Sequence, residues 1–532
     1  MCVAALLIVT VVAFSPTFNA QLLSWDDEAY VSNNKQLRDA AGLGSIWNPA
    51  SPENDQYYPL LFTTYWLEYQ LWGANSRGYH VVSLLFHLVN VALVLTLAWE
   101  LGASPWVAFA TAAIFALHPT QVASVVWVAE SKNTLSGIFY LIAFLLYLRH
   151  RRSGSGAAYR GCVAAFVGAL LSKTQTLTLP VSILVADLLL QRARQLRNVG
   201  VAPIVVKLVP MFALGIAATL ITAYVEQRQV GVAAFRLPTL AERPFIVASA
   251  PWFYVYKFLL PINLSPLYPK WTVSAADPVW WLGIIAWPVV LAAGIKWWER
   301  IGTLTLWGLV HFVVTLSPVL GVIPFGYQQH TVVADHYVYL AIIGAGLAFA
   351  ASAERVAGSL QIASGRVLAT ALGVLLLGAY AVQSYRESQY WQDTPTFWRH
   401  VIERSPNTFA AYYSLGNYYW GRHQWAETVP LYRKAFEIRR DSPGAFDGYA
   451  EALRRTQGEA AALDACNSAL QQSPRFVAAY LQRARSYERL GRRGDALNDY
   501  RRVMEISPKG SEGWRLANRH RQRLEALPNN SR

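Results

Sequence analysis

Three consecutive carboxylates follow directly on the first hydrophobic segment, in the run Trp25-Asp26-Asp27-Glu28-Ala29-Tyr30. Charged side chains beside a membrane are energetically unfavourable and are usually kept for function. Adjacent carboxylates suit general base catalysis, because one accepts a proton while its neighbour orients the reacting group or raises the pKa. We therefore interpret Asp26 as a general base and Asp27 as its partner or an alternate base. A solvated acidic loop that begins a globular segment is the alternative.

Four cationic side chains could hold an anionic group that departs in such a reaction: Lys132, Lys173, Arg243 and Lys270. A cation stabilises the charge that builds on a leaving group, and Arg could grip a phosphate bidentately where Lys acts as a point charge. Lysines near the ends of membrane spans also extend to lipid headgroups, which is the alternative for each of them. Lys173 is favoured because ionisable residues between apolar runs are rarely idle.

Five further side chains could contact the same ligand: His118, His336, Asp335, Tyr57 and Tyr58. The histidines could hydrogen-bond the ligand or cap helices. Asp335 could orient the ligand or cap the helix predicted to begin there. The tyrosines could stack on a ring of the ligand, although aromatic belts at membrane interfaces are the usual reason for such residues.

The composition is that of an integral membrane protein. Of the 532 residues, 54% are hydrophobic and only 15% are charged, whereas a soluble domain has about 25% charged residues. A span needs about 20 apolar residues. We predict about eleven spans, near 2–20, 79–100, 105–123, 134–149, 160–174, 176–191, 203–224, 279–296, 303–323, 335–353 and 366–384. The stretch 245–263 contains Lys257 and Pro261 and is interpreted as re-entrant or interfacial.

Basic residues decide the predicted orientation, because Lys and Arg concentrate in short cytoplasmic loops. The net charge of +14 lies largely in such loops and in the C-terminal region. This pattern is typical of contact with anionic headgroups rather than with nucleic acid. Placing the basic loops inside leaves these segments on the other side: 21–78, 118–133, 225–278, 324–335 and 385–532. The candidate site residues therefore share one face of the membrane.

After Tyr385 the sequence changes to amphipathic, soluble helices with a regular period. Pro406, Arg440, Pro474 and Pro508 follow one another at 34-residue steps, which is the period of the tetratricopeptide repeat (TPR). The third unit matches the signature best, with Tyr480, Ala484, Tyr487, Gly491, Ala496 and Tyr500 at the expected offsets. Three stacked units bury a continuous core and present a concave groove.

The chain resembles the transmembrane-and-TPR O-mannosyltransferase-like proteins, a branch of the GT-C glycosyltransferases that use polyprenyl-phosphate sugars. The fragments that carry the resemblance occur in order before the repeats: Trp25-Asp26-Asp27, Tyr57-Tyr58-Pro59-Leu60, Tyr79-His80, His87-Leu88-Val89-Asn90, Ala116-Leu117-His118-Pro119, Lys132-Asn133, Ser172-Lys173-Thr174, Tyr268-Pro269-Lys270-Trp271 and Ala334-Asp335-His336-Tyr337. Two positions depart from the family pattern, with Ala123 at a usual Glu and Ser131 at a usual Arg.

The resemblance implies an inverting transfer of a monosaccharide, mannose above all, from a polyprenyl-phosphate carrier to Ser or Thr of exported polypeptides. The acids of the first loop would supply the base, the cationic, histidine and tyrosine candidates would hold the donor's phosphate and sugar, and the repeats would hold the polypeptide. Adjacent carboxylates also suit a divalent cation, but the family is generally metal-independent, and no cofactor is expected. The alternative is a non-catalytic membrane scaffold for partner proteins, which the departures at Ala123 and Ser131 favour.

These inferences predict an all-α chain: a polytopic GT-C helix bundle followed by a TPR solenoid. The predicted parts are a membrane domain, 1–384, with external loops 21–78 and 225–278, a connecting half-repeat, 385–406, TPR units, 407–510, and a capping helix and tail, 511–532. We expect a bacterial inner membrane or an endoplasmic reticulum membrane, with the repeats on the periplasmic or lumenal side.

Overall fold

The computed structural model describes residues 2–229, 238–322, 326–359 and 363–526. Every regular element in these ranges is helical, which confirms the all-α prediction. The chain forms two compact units, residues 1–397 and 398–532. Parts of four predicted segments lie outside the described residues, namely 225–278, 303–323, 324–335 and 511–532.

The first unit is a bundle of helices that matches most of the predicted spans. Its α-helices are Cys2–Ala13, Ala40–Trp47, Pro59–Trp72, Ser76–Glu100, Pro105–Leu117, Val122–Val126, Ser131–Ser153, Gly156–Ser172, Leu179–Arg192, Val201–Gln229, Arg243–Leu259, Val279–Lys296, Thr303–Leu316, Ala341–Ser359 and Ala363–Gln389. Helix Thr394–Arg404 crosses the boundary between the units.

Six described helices are long and apolar enough to cross a membrane, and a bent pair is a seventh. The predicted spans near 2–20, 160–174 and 303–323 correspond to shorter apolar helices. The predicted span 335–353 begins later than expected, because residues 335–338 form a separate 3-10 turn and the helix starts at Ala341. A multi-pass membrane protein is therefore confirmed.

The bent pair is the predicted span 105–123, which breaks at His118-Pro119. Pro105–Leu117 and Pro119–Val126 meet at an angle of 51°. Proline has no N–H to continue a helix, and it disfavours helical geometry at the residue before it. The break turns the chain, and the two short helical turns that follow lead to the helix that begins at Ser131.

The first predicted loop is compactly folded. Its helix Ala40–Trp47 is capped by Asp39, whose carboxylate accepts a hydrogen bond from the Gly42 amide. Helix Pro59–Trp72 follows, beginning at a proline, as helices often do because the missing N–H is not needed there. A π-helical turn, Glu28–Ser32, lies just after the acidic run, and such turns are often found at functional sites.

The second unit has the predicted repeat period. First helices of successive pairs begin at Phe409, Pro443 and Val477, and second helices begin at Trp425, Glu459 and Arg493. Each set is spaced by 34 residues, as the prolines predicted. The remaining helix, Glu512–Ala526, packs against the last pair through Ala517 and Leu524.

Arg454 joins two neighbouring repeats through a buried hydrogen-bond network. Its guanidinium donates to Glu459 Oε2 at 2.9 Å and to Gln482 Oε1 and Ser486 Oγ at 3.2 Å. It also forms an ion pair with Glu451. Because the arginine belongs to one repeat and two of its partners to the next, we expect it to hold the repeats in register.

Replacing Arg454 with Met is expected to destabilise the repeats by about 3 kcal/mol, because two glutamates, one glutamine and one serine would lose a buried partner. Arg455→Met is the matched control, since this half-exposed side chain forms an ion pair with Glu451 and lies over the ring of Trp425, and its ion pair is expected to contribute less than about 1 kcal/mol. Amide hydrogen exchange of residues 443–506 in the full chain measures both. Equal protection in the two variants would contradict the role of Arg454.

Candidate active site

The acidic run is docked on the turn at residues 127–130 by stacking and by hydrogen bonds. The indole of Trp25 stacks on that of Trp127, with ring centroids 4.7 Å apart. The carboxylate of Asp27 accepts hydrogen bonds from the Ala129 amide at 2.8 Å and from the Leu23 amide at 3.0 Å. These contacts therefore fix the acidic run against a turn that lies about a hundred residues later in the sequence.

Asp27 is 1% exposed, and each of its oxygens already accepts a backbone hydrogen bond. Burial raises the pKa of Asp27 to about 7, although the two amide hydrogen bonds oppose the shift. A carboxylate held in this way suits an anchor more than a proton acceptor. The geometry thus favours Asp27 as the partner of Asp26 over its alternative role as a base.

Asp27→Ala is expected to loosen the acidic run, because two buried amides would lose their acceptor at about 1–3 kcal/mol each. The adjacent Glu28→Gln is the control, since the Glu28 side chain makes no hydrogen bond or ion pair with the described residues. Limited trypsin cleavage at Lys35 and Arg38 in the full chain reports the loosening. Cleavage at the wild-type rate in Asp27→Ala would show that the anchor is unimportant.

Asp26 differs from its neighbour, because its half-buried carboxylate has no hydrogen bond or ion pair within the described part of the chain. Burial raises the pKa of Asp26 to about 6, the charge of Lys132 lowers it and that of Glu130 raises it further. The group is therefore ionised near neutral pH and has lone pairs available for a proton. Its electrostatic coupling to Lys132 and Glu130 places it at the edge of a charged cluster.

That cluster is centred on Glu130 and also contains Lys132, Asn133, Lys173 and His336; we call it the Glu130 cluster. Glu130 Oε1 lies 2.8 Å from Lys132 Nζ, and Oε2 lies 3.3 Å from Lys173 Nζ. Asn133 bridges them, accepting from Lys173 at 2.6 Å and donating to Glu130 Oε2 at 2.8 Å. Two buried ammonium groups thus share one carboxylate in a low-dielectric site, and the charges of Asp26 and Glu226 also act on Lys132.

His336 completes the cluster as a neutral group. Burial lowers the pKa of His336 to about 3, against the opposing effect of Glu130. Its Nε2 lies 3.9 Å from Glu130 Oε1, and its backbone carbonyl accepts from Asn133 at 3.1 Å. The imidazole packs edge-on against Trp127 and Tyr327, so the ring is held beside the charges and can hydrogen-bond a ligand.

Two tyrosines cover Lys132. The rings of Tyr30 and Tyr58 have their centroids 5.4 and 5.9 Å from the Lys132 ammonium, within range of a cation–π interaction. Tyr58, one of the candidates from the sequence, is thereby brought to the cluster. Tyr57 is not, because its hydroxyl donates to the Trp47 carbonyl at 3.2 Å within the first loop.

Asp335 precedes His336 in the sequence, but its carboxylate is hydrogen-bonded to a residue outside the Glu130 cluster. It accepts a hydrogen bond from the Tyr268 hydroxyl at 2.8 Å. Burial raises the pKa of Asp335 to about 7, while Tyr268 and the Lys257 charge oppose the shift. Asp335 is the first residue of a 3-10 turn whose N-cap is Ala334 and which has no side-chain cap, so its geometry does not correspond to the capping alternative.

His118 is fully engaged elsewhere. Its Nε2 pairs with the Phe258 carbonyl at 3.0 Å and its Nδ1 with Thr120 Oγ1 at 2.8 Å, and the ring stacks on Phe258. This geometry corresponds to the capping alternative. Arg243 donates to the Pro238 carbonyl at 3.2 Å, and Lys270 is exposed in the loop after Tyr268. No hydrogen bond or ion pair described for Arg243 or Lys270 connects either side chain to the Glu130 cluster.

The central residue, Glu130, is absent from the site predicted from the sequence. Its neighbour Lys132 is in that prediction, and the run Glu130-Ser131-Lys132-Asn133 was a signal that could have revealed it. Ser131, the departure from the family pattern, is buried and hydrogen-bonded to the Tyr65 hydroxyl at 2.8 Å. Tyr65 also donates to the Val128 carbonyl at 2.6 Å, so this position supports the turn on which the cluster is built.

Comparisons with known proteins test the family resemblance. A protein O-mannosyl-transferase of Caenorhabditis elegans is 23% identical over 411 residues, covering 74% of this chain and 56% of that protein. Human protein O-mannosyl-transferase TMTC4 is 28% identical over 199 residues, covering 32% of this chain and 27% of that protein. The curated relatives are protein O-mannosyl-transferases. This confirms the family resemblance predicted from the sequence.

This chain spans about half the length of the C. elegans protein O-mannosyl-transferase, and a smaller share of the human one. The tetratricopeptide repeat family model matches residues 408–442, which confirms repeats of this kind. Among solved structures, ArnT from Cupriavidus metallidurans bound to undecaprenyl phosphate is 14% identical, with a TM-score of 0.37 over 94% of this chain and 80% of that one. The Arabidopsis OM64 TPR domain is 22% identical, with a TM-score of 0.19 over 22% of this chain and 94% of that one.

Proposed function

We propose that this chain is a membrane protein O-mannosyltransferase that moves mannose from a polyprenyl-phosphate carrier to Ser or Thr hydroxyls of exported polypeptides. The observation that carries the proposal is the position of Asp26, whose carboxylate has no hydrogen bond or ion pair among the described residues and lies beside a buried cluster in which two lysines share one glutamate. Such a transfer requires a base that accepts the proton of the hydroxyl and a site that binds the departing phosphate. The similarity to curated protein O-mannosyl-transferases supports mannose as the sugar.

Asp26 is the general base of the proposed reaction. The acceptor hydroxyl gives its proton to the Asp26 carboxylate as its oxygen forms a bond to C1 of mannose. The bond between C1 and the phosphate oxygen breaks, and the electron pair leaves with the polyprenyl phosphate. Attack from the face opposite the phosphate inverts the configuration at C1. Asp27 holds the loop so that Asp26 keeps its position.

Lys132 and Lys173 stabilise the departing phosphate in this proposal. Both ammonium groups lie against the single carboxylate of Glu130, so a phosphate oxygen that approaches them would meet two cations in a site shielded from water. Fixed charges of this kind act strongly in a low-dielectric site and need no reorganisation as the reaction proceeds. Glu130 and Asn133 keep both ammonium groups in place when no donor is bound.

The TPR unit is proposed to hold the acceptor polypeptide, on the periplasmic or lumenal side. Protease treatment of oriented vesicles tests this placement, because residues 398–526 contain many arginines and would be cleaved only from the exposed side. Cleavage from the cytoplasmic side would show that the repeats lie across the membrane from exported polypeptides. That result would overturn this part of the proposal.

Turnover by the purified chain tests the enzymatic proposal. The full chain is reconstituted in nanodiscs with polyprenyl-phosphate mannose and a Ser/Thr-rich peptide, and the mass of the peptide is followed. Addition of one hexose with release of polyprenyl phosphate is expected. Binding of partner proteins without any sugar transfer would instead favour the non-catalytic scaffold.

A further inference from the structure

A cleft in the first loop is not used by the proposed mechanism. It has a volume of about 280 Å³ and lies between residues 29–36 and 53–62. Its lining includes Tyr30, Asn33, Asn34, Lys35, Glu53 and Asp55. This volume is close to the lower end of ligand pockets, about 300–1,000 Å³, so the cleft suits one or two residues of a larger ligand.

The cleft and the Glu130 cluster share a wall. Tyr30 lines the cleft, and its ring centroid is 5.4 Å from Lys132 Nζ. Tyr30 also lies four residues after Asp26, along the helical turn that ends at Ser32. A ligand seated in the cleft would therefore be one side chain away from the proposed phosphate site.

The polar side chains at the base of the cleft are hydrogen-bonded to one another, whereas several polar side chains at its rim are not. Gln36 donates to Asn54 at 2.8 Å, and Asn54 donates to the Asn48 carbonyl at 2.8 Å. By contrast, the side chains of Asn33, Lys35 and Asp55 make no hydrogen bond or ion pair with the described residues. A rigid base with unengaged groups at its edge is the arrangement expected of a pre-formed binding site.

The position of the cleft indicates which substrate it receives. Asn33, Lys35, Glu53 and Asp55 are exposed, and the cleft lies outside the candidate spans. A polyprenyl donor reaches the site from the bilayer, whereas a polypeptide acceptor arrives from water. A solvent-open cleft next to the base therefore fits the acceptor.

The charge of the cleft indicates which polypeptide it prefers. Two carboxylates, Glu53 and Asp55, and one ammonium, Lys35, line it, in a chain whose overall charge is +14. We infer that this cleft binds the acceptor polypeptide beside its Ser or Thr and favours a basic residue there. The inference rests on the proposed function for the identity of the acceptor, but its binding step needs no sugar donor.

Peptide binding without donor tests the inference. Fluorescein-labelled Ser/Thr decapeptides flanked by Lys or by Glu are titrated with the purified full chain, and fluorescence anisotropy gives their affinities. We expect Asp55→Lys to weaken the Lys-flanked peptide by about fivefold and to strengthen the Glu-flanked one, since like charges at such distances repel. Lys35→Glu should have the opposite effect on both peptides.

Glu299→Lys is the matched control, because Glu299 is exposed and remote from the cleft in sequence, and the same charge change there should leave both affinities unaltered. Unchanged affinities in Asp55→Lys and Lys35→Glu would overturn the inference even if transfer occurs. So would displacement of the peptide by free mannose, which would make the cleft a sugar site. Charge-dependent peptide binding in a chain that transfers no sugar would support the cleft and refute the enzymatic proposal.

Discussion

Asp26→Asn is expected to lower the rate of mannose transfer by about a hundred- to ten-thousandfold, the usual contribution of a general base. The amide is nearly the same size as the carboxylate but cannot accept the hydroxyl proton. Because the Asp26 side chain has no hydrogen bond within the described residues, the variant should fold normally and still bind the donor. Single-turnover transfer from polyprenyl-phosphate mannose, beside a donor-binding assay, separates chemistry from binding.

Glu28→Gln is the matched control for this loss of the carboxylate, because Glu28 is two residues away and its side chain also has no hydrogen bond or ion pair among the described residues. Its transfer rate should equal that of the wild type. If Asp26→Asn keeps most of its activity, or if both variants lose it equally, Asp26 is not the base.

The same carboxylate predicts the pH dependence of the reaction. Burial raises the pKa of Asp26 to about 6, so the base is protonated and inactive below that pH and ionised above it. The value of kcat/KM should therefore rise between about pH 5 and 7. Lys132→Met removes a charge that lowers this pKa, and the midpoint should shift upward. A flat profile over this range would contradict the assignment.

Glu130→Gln is expected to destabilise the chain by about 3–5 kcal/mol, because it leaves two buried ammonium groups without their shared counter-charge. The two cations would also repel each other in the low-dielectric interior. Pulse proteolysis of the full chain in detergent measures the loss. Transfer should fall as well, since the lysines would no longer be held in position.

Two further variants show whether the effect comes from the buried charges. Glu100→Gln breaks a partly exposed ion pair with Arg152 and should change stability by less than about 1 kcal/mol. Adding Lys173→Met to Glu130→Gln removes one of the unpaired cations and should restore part of the lost stability but not the activity. Additive losses in that double variant would mean that the two residues are not coupled.

Local patterns in the sequence determined the helices and the repeats. The 34-residue period set where the helices near Phe409, Pro443 and Val477 begin, because each unit must bury the same face against the next. Pro119 stopped a predicted span through the loss of one backbone hydrogen bond. Such effects depend on neighbouring residues and can be read without a fold.

Residue types also marked Asp26, Lys132, Lys173 and His336 as chemical candidates, but only the tertiary structure could decide which of the candidates meet. Glu130 became the centre because packing brings Lys173 and His336 to it from distant parts of the chain. Asp27 and Asp26 are adjacent and alike in sequence, yet only Asp27 lies within reach of the Ala129 amide. The roles of charged groups depend on burial and partners, and those are properties of the folded chain rather than of the order of its residues.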